Sequence, residues 1–295
     1  MTERIGGLET EGRAAALSDL DLRPTVEIVR AVVGGHRDVL AAVAAAEPAI
    51  AALADAAAER LAAGGRLVYA GAGSAGWLAF VDAMELGPTF SVPAIALVAG
   101  SEHPAGSREE AAAEDDEAAG AAAVRALDPR PEDVIVAVSA SGRTPYALGA
   151  LGAAAPAFTG AVVCATGTEL ARRAERAVEV PVGAEAISGS TRLKAGTAQK
   201  LVLNAFSTAV MVRRGRTLGD LMTSMRVANS KLRNRAVRIC QAATGCEEQA
   251  ARGALEAADD DISVAVLMLA RDADAPTARA ALDAAGGNLR RALET

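Results

Sequence analysis

Aromatic residues are scarce in this 295-residue chain: one tryptophan, two tyrosines and four phenylalanines make up 2% of it. Ligand binding by stacked rings is therefore not a main device here, and the core has to be built from Ala, Val, Leu and Ile in closely packed helices and strands. Only two histidines are present, His36 and His103, too little material for an imidazole metal centre or a Ser-His-Asp triad. Cys164, Cys240 and Cys246 are too few and too widely spaced for a disulfide framework or a zinc cage, so free thiols and no metal are expected. There is no excess of basic charge, 30 Lys and Arg standing against 37 Asp and Glu for a net −7. That argues against a nucleic-acid partner, which needs a basic stripe to neutralise phosphates. The first residues are charged and no uninterrupted apolar run reaches the roughly 20 residues that span a bilayer. The chain reads as cytoplasmic, with no membrane partner.

What is abundant is alanine, glycine and aliphatic residues, 51% of the chain being hydrophobic, enough for one large core or a core with a satellite. An Ala-rich helical stretch over 25–63 forms an N-terminal arm, taken as 1–63. From Gly65 short apolar runs alternate with helical segments, at 66–70, 94–98, 134–138, 161–164 and 177–182. Strands buried on both faces read this way, which predicts an α/β fold with a doubly wound parallel five-stranded sheet over 64–225. In such sheets ligands bind at the strand C-terminal ends. The tail, 226–295, predicts a small helical module with an internal repeat. Residues 251–258 return 27 positions later as 278–285, and Asp260-Asp261 and Gly286-Gly287-Asn288 supply the turn and helix cap of each unit.

Three segments have the composition of anion sites. Gly71-Ala72-Gly73-Ser74-Ala75-Gly76 follows the first strand, and Ser139-Ala140-Ser141-Gly142-Arg143-Thr144 follows the third. Glycine admits a ligand to the backbone, hydroxyls donate hydrogen bonds, and the next helix presents its positive end. The run from Ser188 to Lys200 leads into a long helical pattern. Ser190 or Thr191 is its expected cap, and Arg192, Lys194 and Lys200 stand near the unpaired N–H groups. The plain alternative is a well-capped helix with its cations in solvent.

The S-x-S-G-x-T loop after a buried strand resembles the sugar isomerase (SIS) domain, which holds phosphosugars through such hydroxyls. Further segments extend the match: Gly71-Ala72-Gly73, Asp82-Ala83-Met84-Glu85, Pro88-Thr89-Phe90, Ala113-Glu114-Asp115, 140–146 and 189–204. Together with Thr10-Glu11-Gly12-Arg13 and the repeated tail, they resemble the N-acetylmuramic acid 6-phosphate etherases over nearly the whole chain. The tail also resembles ubiquitin-associated folds. The resemblance implies a cofactor-independent carbon–oxygen lyase and a homodimer. It would release D-lactate from carbon 3 of a phosphosugar by elimination and hydration, as in peptidoglycan recycling. Glu85 and Glu114 match the family's catalytic glutamates. Glu85 is assigned as the acid that protonates the leaving lactate and then activates water, and Glu114 as its partner and candidate base at carbon 2. Glu85 lies in the apolar stretch 80–90, so burial and a raised pKa are expected. Glu114 lies in an acidic run that by itself reads as a solvated helix face. Ser74, Ser139, Ser141, Arg143, Thr144, Ser190, Thr191 and Lys194 are the expected substrate and phosphate contacts.

The first loop departs from the family's Gly-Ala-Gly-Thr-Ser-Gly-Arg. Ala75 stands in place of a phosphate-binding serine and Trp77 in place of an arginine, so both are expected to alter specificity. Gly87, Ala14 and Ser139 are further differences. An alternative substrate is therefore a different sugar, unphosphorylated or nucleotide-derived. A SIS-type isomerase is disfavoured by the glutamate pair, and a non-catalytic sugar-phosphate sensor is the third reading.

Overall fold

The computed structural model describes residues 12–104 and 106–295. Thr10 and Glu11 of the N-terminal motif, with the start of the 1–63 arm, lie outside the described residues. The chain divides into two compact units: one runs up to Ala83 and resumes over Ala94–Ser207, the other comprises Met84–Pro93 and Thr208–Thr295.

The first unit is built on the expected parallel sheet. Its strands are β1 (Leu67–Gly71), β2 (Ala94–Val98), β3 (Val134–Ser139), β4 (Phe158–Val163) and β5 (Arg176–Glu179), in the order β2-β1-β3-β4-β5 and parallel throughout. The strand order reverses between β1 and β3, the switch point at which open α/β sheets form a crevice. Every residue of β1, β3 and β4 is buried, which is why they read as continuous apolar runs. On one sheet face Val68, Ala70 and Ile135 meet residues of α6 (Glu117–Arg125) and α7 (Pro145–Gly152). On the other lie α3 (Glu47–Ala62), α4 (Gly73–Phe90) and α9 (Lys194–Arg213).

β4 starts three residues earlier than its apolar run because it contains Gly160. A Cβ there would stand 2.7 Å from Leu53 Cδ1, so the glycine makes room for α3. β5 is shorter than its run and ends before Pro181, although Val180 N–H still donates to Val163 O at 2.8 Å. Two polar clusters pin the sheet. Buried Asp133 accepts from Arg66 N at 2.8 Å, from Arg130 N at 2.9 Å and from both guanidinium groups. Burial opposes its charge, but Arg66 and Arg130 hold its carboxyl well below the ordinary range. Asp82 of α4, also buried, accepts from Tyr69 Oη of β1 at 2.7 Å and from Ser207 Oγ of α9 at 3.0 Å, tying three elements together.

Ahead of the sheet, α1 (Thr25–Gly35) and α2 (Arg37–Ala45) precede α3. Among the described residues no single helix is long and apolar enough to cross a membrane. The bent pair Thr25–Ala45 and Glu47–Ala62 passes that test only when taken together.

The second unit contains α10 (Ser230–Thr244), α11 (Glu248–Ala257), α12 (Ile262–Arg271), α13 (Ala275–Ala284) and α14 (Leu289–Glu294) around a core of Cys240, Leu255, Ile262, Leu267 and Leu289. The 27-residue repeat is realised in space, since α11 and α13 have the same length and are offset by the repeat. Asp261 Oδ1 caps α12 and Asn288 Oδ1 caps α14 in corresponding ways. Asp259 and Asp260 adopt positive φ where the second copy has Gly286 and Gly287.

Candidate active site

The loop from β1 into α4 is shaped by close approach. A Cβ on Gly71 would meet Val138 O at 2.8 Å, and one on Gly76 would meet Gly71 itself at 2.8 Å, so both must be glycine. Gly73 turns the chain at φ +51°, and a Cβ built on it would stand 3.6 Å from Glu114 Oε2. Glu114 therefore places its carboxylate over the first turn of α4. It follows α5 (Arg108–Ala113), and its own carbonyl accepts from Tyr146 N at 3.1 Å, which fixes that end of the acidic run against α7.

The hydroxyl loop after β3 converges on the same carboxylate. Ser139 Oγ accepts from Gly142 N at 3.0 Å and lies 2.8 Å from Thr144 Oγ1, which donates to Glu114 Oε1 at 3.4 Å. Ser141 Oγ accepts from Arg143 N at 3.2 Å. Gly142 has to be glycine, since a Cβ would run into Thr168 Oγ1 at 2.3 Å. Ser139 and Thr144 are buried, whereas Ser141 and Arg143 are half-buried at the surface of the loop. Burial pushes the Glu114 carboxyl above its ordinary value, and the nearby Asp115 charge adds to this against the Thr144 hydrogen bond.

A cavity of about 600 Å³ opens beside this cluster, lined by Gly73, Ser74, Trp77, Leu78, Val81, Gly106, Ser107, Glu110, Ala111, Glu114 and Arg192. Trp77 Nε1 donates to Glu110 Oε1 at 2.6 Å, the Gly106 N–H donates to the other carboxylate oxygen, and Trp77 packs edge-on against Phe80. These two donors hold Glu110 below its ordinary value. Glu110 was not expected at the site. The signal for it is its spacing of four from Glu114, which sets the two on one face of the acidic segment while Glu109, Asp115, Asp116 and Glu117 are exposed. Ala75 is buried and does not line the cavity, so Ser74 is the hydroxyl that this loop presents there.

Two expectations are corrected. Glu85 is exposed, not buried: it shares a solvent-facing side of α4 with Met84, and the apolar residues Leu86 and Phe90 turn inward instead. It belongs to the second unit and is not among the cavity residues. The end of α9 is also not an open anion site. Glu185, fully buried, accepts from Lys194 N at 2.9 Å and from Ala195 N at 2.9 Å, so the chain's own carboxylate occupies that helix end. Ser190 and Thr191 form the preceding turn through their carbonyls, bonded to Leu193 N and Gly196 N. The Lys194 ammonium donates to Val182 O. Of that run, Arg192 reaches the cavity. Among the described residues no group of three or more His, Cys, Asp or Glu is arranged to hold a metal ion.

Residues 35–165 match the SIS domain family. A phosphoheptose isomerase from Francisella tularensis shares the fold, with a TM-score of 0.52 at 19% identity, covering 64% of this chain and all of that one. Similarity in sequence reaches much further. An N-acetylmuramic acid 6-phosphate etherase of Streptomyces coelicolor is 45% identical over 99% of this chain and 96% of its own length. Relatives of the same name from Rubrobacter xylanophilus and Streptomyces avermitilis are also 45% identical, over 99% and 97% of this chain and 98% and 93% of theirs. Matched end to end with such relatives, the chain belongs to the N-acetylmuramic acid 6-phosphate etherase family.

Proposed function

We propose that the protein cleaves the D-lactyl ether of N-acetylmuramic acid 6-phosphate, giving N-acetylglucosamine 6-phosphate and D-lactate. The observation that carries this reading is the Glu114 carboxylate, half-buried over the start of α4, bonded by Thr144 and facing a cavity of sugar size. In the open-chain sugar the aldehyde acidifies the carbon-2 proton. Glu114, made more basic by burial, takes that proton; the electrons form the carbon 2–carbon 3 double bond, and the carbon 3–oxygen bond breaks. The departing lactate oxygen takes its proton from a general acid, the role that the family resemblance gives to Glu85. Water then adds at carbon 3, losing its proton to the carboxylate of that acid, while Glu114 returns a proton to carbon 2. The charge changes are handled by the two carboxyls, so the reading needs no cofactor.

Ser74, Ser141, Arg143 and Arg192 are the substrate contacts favoured by their exposure around the site. Ser139 and Thr144 support the loop and Glu114 from beneath. The protein acts in the cytoplasm as a homodimer in this reading. Support for the dimer is the exposure of Phe80 and Met84 on the same helix as Glu85: a partner subunit covering that side would bury the acid.

Trp77 in the cavity wall favours a second reading, in which an unphosphorylated sugar is the substrate, because an apolar plane replaces a cationic one. Incubation with both sugars in deuterium oxide tests the two together. D-lactate release from the phosphorylated sugar, with deuterium appearing at carbon 2, is expected. Release from the unphosphorylated sugar alone selects the second reading, and neither release nor exchange overturns both.

A further inference from the structure

We propose that the second unit holds a separate ligand site, for a compact zwitterion of about dipeptide size that carries one anionic group and one ammonium. The site is a cavity of about 620 Å³ whose wall includes Arg216, Thr223, Ser224, Asp260 and Gly287, none of which lines the Glu114 cavity. Small-molecule sites have volumes of roughly 300–1,000 Å³. What singles this cavity out is its unmet polarity. Four buried side-chain polar atoms lack a partner among the described residues, and three of them belong to this wall: Arg216 Nε, Thr223 Oγ1 and Asp260 Oδ1. Thr223 is only 2% exposed. A buried polar group without a partner is costly, so three around one cavity point to a ligand that satisfies them.

The charges define its class. Arg216 brings a guanidinium to the lining, and its Nε lacks a partner among the described residues. The Asp259–Asp261 turn lines the same cavity as Arg216, and in it Asp260 binds Arg233 through Oδ2 and leaves Oδ1 without a partner. The lining thus offers a cationic donor in Arg216 and an anionic acceptor in Asp260, and Thr223 adds a hydroxyl.

The repeat supplies the space. Asp259 and Asp260 in the first copy correspond to Gly286 and Gly287 in the second, and Cβ atoms built on these glycines would meet nothing within 4 Å. One turn contributes carboxylates and its counterpart contributes bare backbone. The same charge pattern occurs on a short peptide and on a phosphorylated amino sugar, so the test includes both.

Amide chemical shifts of the full-length protein are followed while L-alanyl-L-alanine or glucosamine 6-phosphate is added up to ~10 mM, the range of weak metabolite binding. Saturable shifts at Thr223, Asp260 and Gly287 are expected from one or both, and the probe that binds identifies the source. N-acetylated forms of the probes should bind at least about tenfold more weakly, since they lose a charged hydrogen bond. Thr223→Val and Asp260→Asn should weaken binding while leaving lactate release from N-acetylmuramic acid 6-phosphate unchanged. The proposal is overturned if neither probe produces saturable shifts at these residues or if the blocked forms bind equally well. Undiminished binding by a folded Thr223→Val protein would also overturn it.

Discussion

Glu114 carries two opposing influences that can be separated by substitution. Burial raises its pKa and the Thr144 hydroxyl lowers it by bonding the charged form. As a base the group works only when ionised, so activity fails as pH falls through its pKa, and that acidic limb should lie above the usual glutamate value. Thr144→Val removes the lowering influence. The acidic limb of kcat/KM should then shift to still higher pH, as a pH–rate profile would record. Glu114→Gln removes the base outright and should reduce lactate release by roughly 10²–10⁴-fold, with carbon-2 exchange lost in parallel. Retained exchange in that variant would assign the base to another residue. Individual residues were the least legible scale. Only the family motif points to Glu114, because its acidic surroundings look like solvated surface. The exposure of Glu85 is not legible, because an apolar neighbourhood in sequence does not say which side of a helix a residue occupies.

At the scale of elements, the sheet was legible because strands buried on both faces leave uninterrupted apolar runs. The ends were harder to read: Gly160 hides the start of β4, since its reason is Leu53 on a distant helix. The end of α9 was hidden by another distant group, Glu185. If that carboxylate neutralises the helix end, Glu185→Ala should destabilise the protein by about 2 kcal/mol, and added phosphate should recover part of the loss by filling the vacated position. Thermal unfolding with and without phosphate checks both effects. An unchanged Tm would remove Glu185 from this role.

Asp133 joins the starts of β1 and β3 in the same way, and its contribution depends on pH. Its folded pKa lies below the unfolded value, so the stabilisation is present above the ordinary aspartate pKa and is lost as pH falls through the folded one. Breaking a buried pair costs roughly 3–5 kcal/mol. With Arg66 and Arg130 partly exposed, about 2–3 kcal/mol is expected for Asp133→Asn at neutral pH. The wild-type and variant stabilities should converge in strong acid, as urea midpoints across the pH range would show. A constant difference would mean that packing, not charge, sets the cost.

At the scale of the whole molecule, one side of α1 is left uncovered among the described residues. No residue of α1 is buried. Val26, Val29 and Val33, spaced to share one side of the helix, are 61%, 55% and 65% exposed. An isolated 11-residue helix is marginal in water and gains most of its stability from packing an apolar side. The proposed homodimer would provide a surface for it, and stable interfaces bury roughly 1,200–2,000 Å² with apolar residues at their centre. Light scattering after size exclusion should therefore give close to twice the 29.7 kDa chain mass. Replacing Val29 and Val33 with glutamate puts two charges where desolvation is required and should shift the protein toward monomer. If the partner subunit also buries Glu85, the monomeric variant should lose lactate release while its circular dichroism stays that of a folded protein. A monomeric wild type with full activity would sink both the dimer and the proposed source of burial for Glu85.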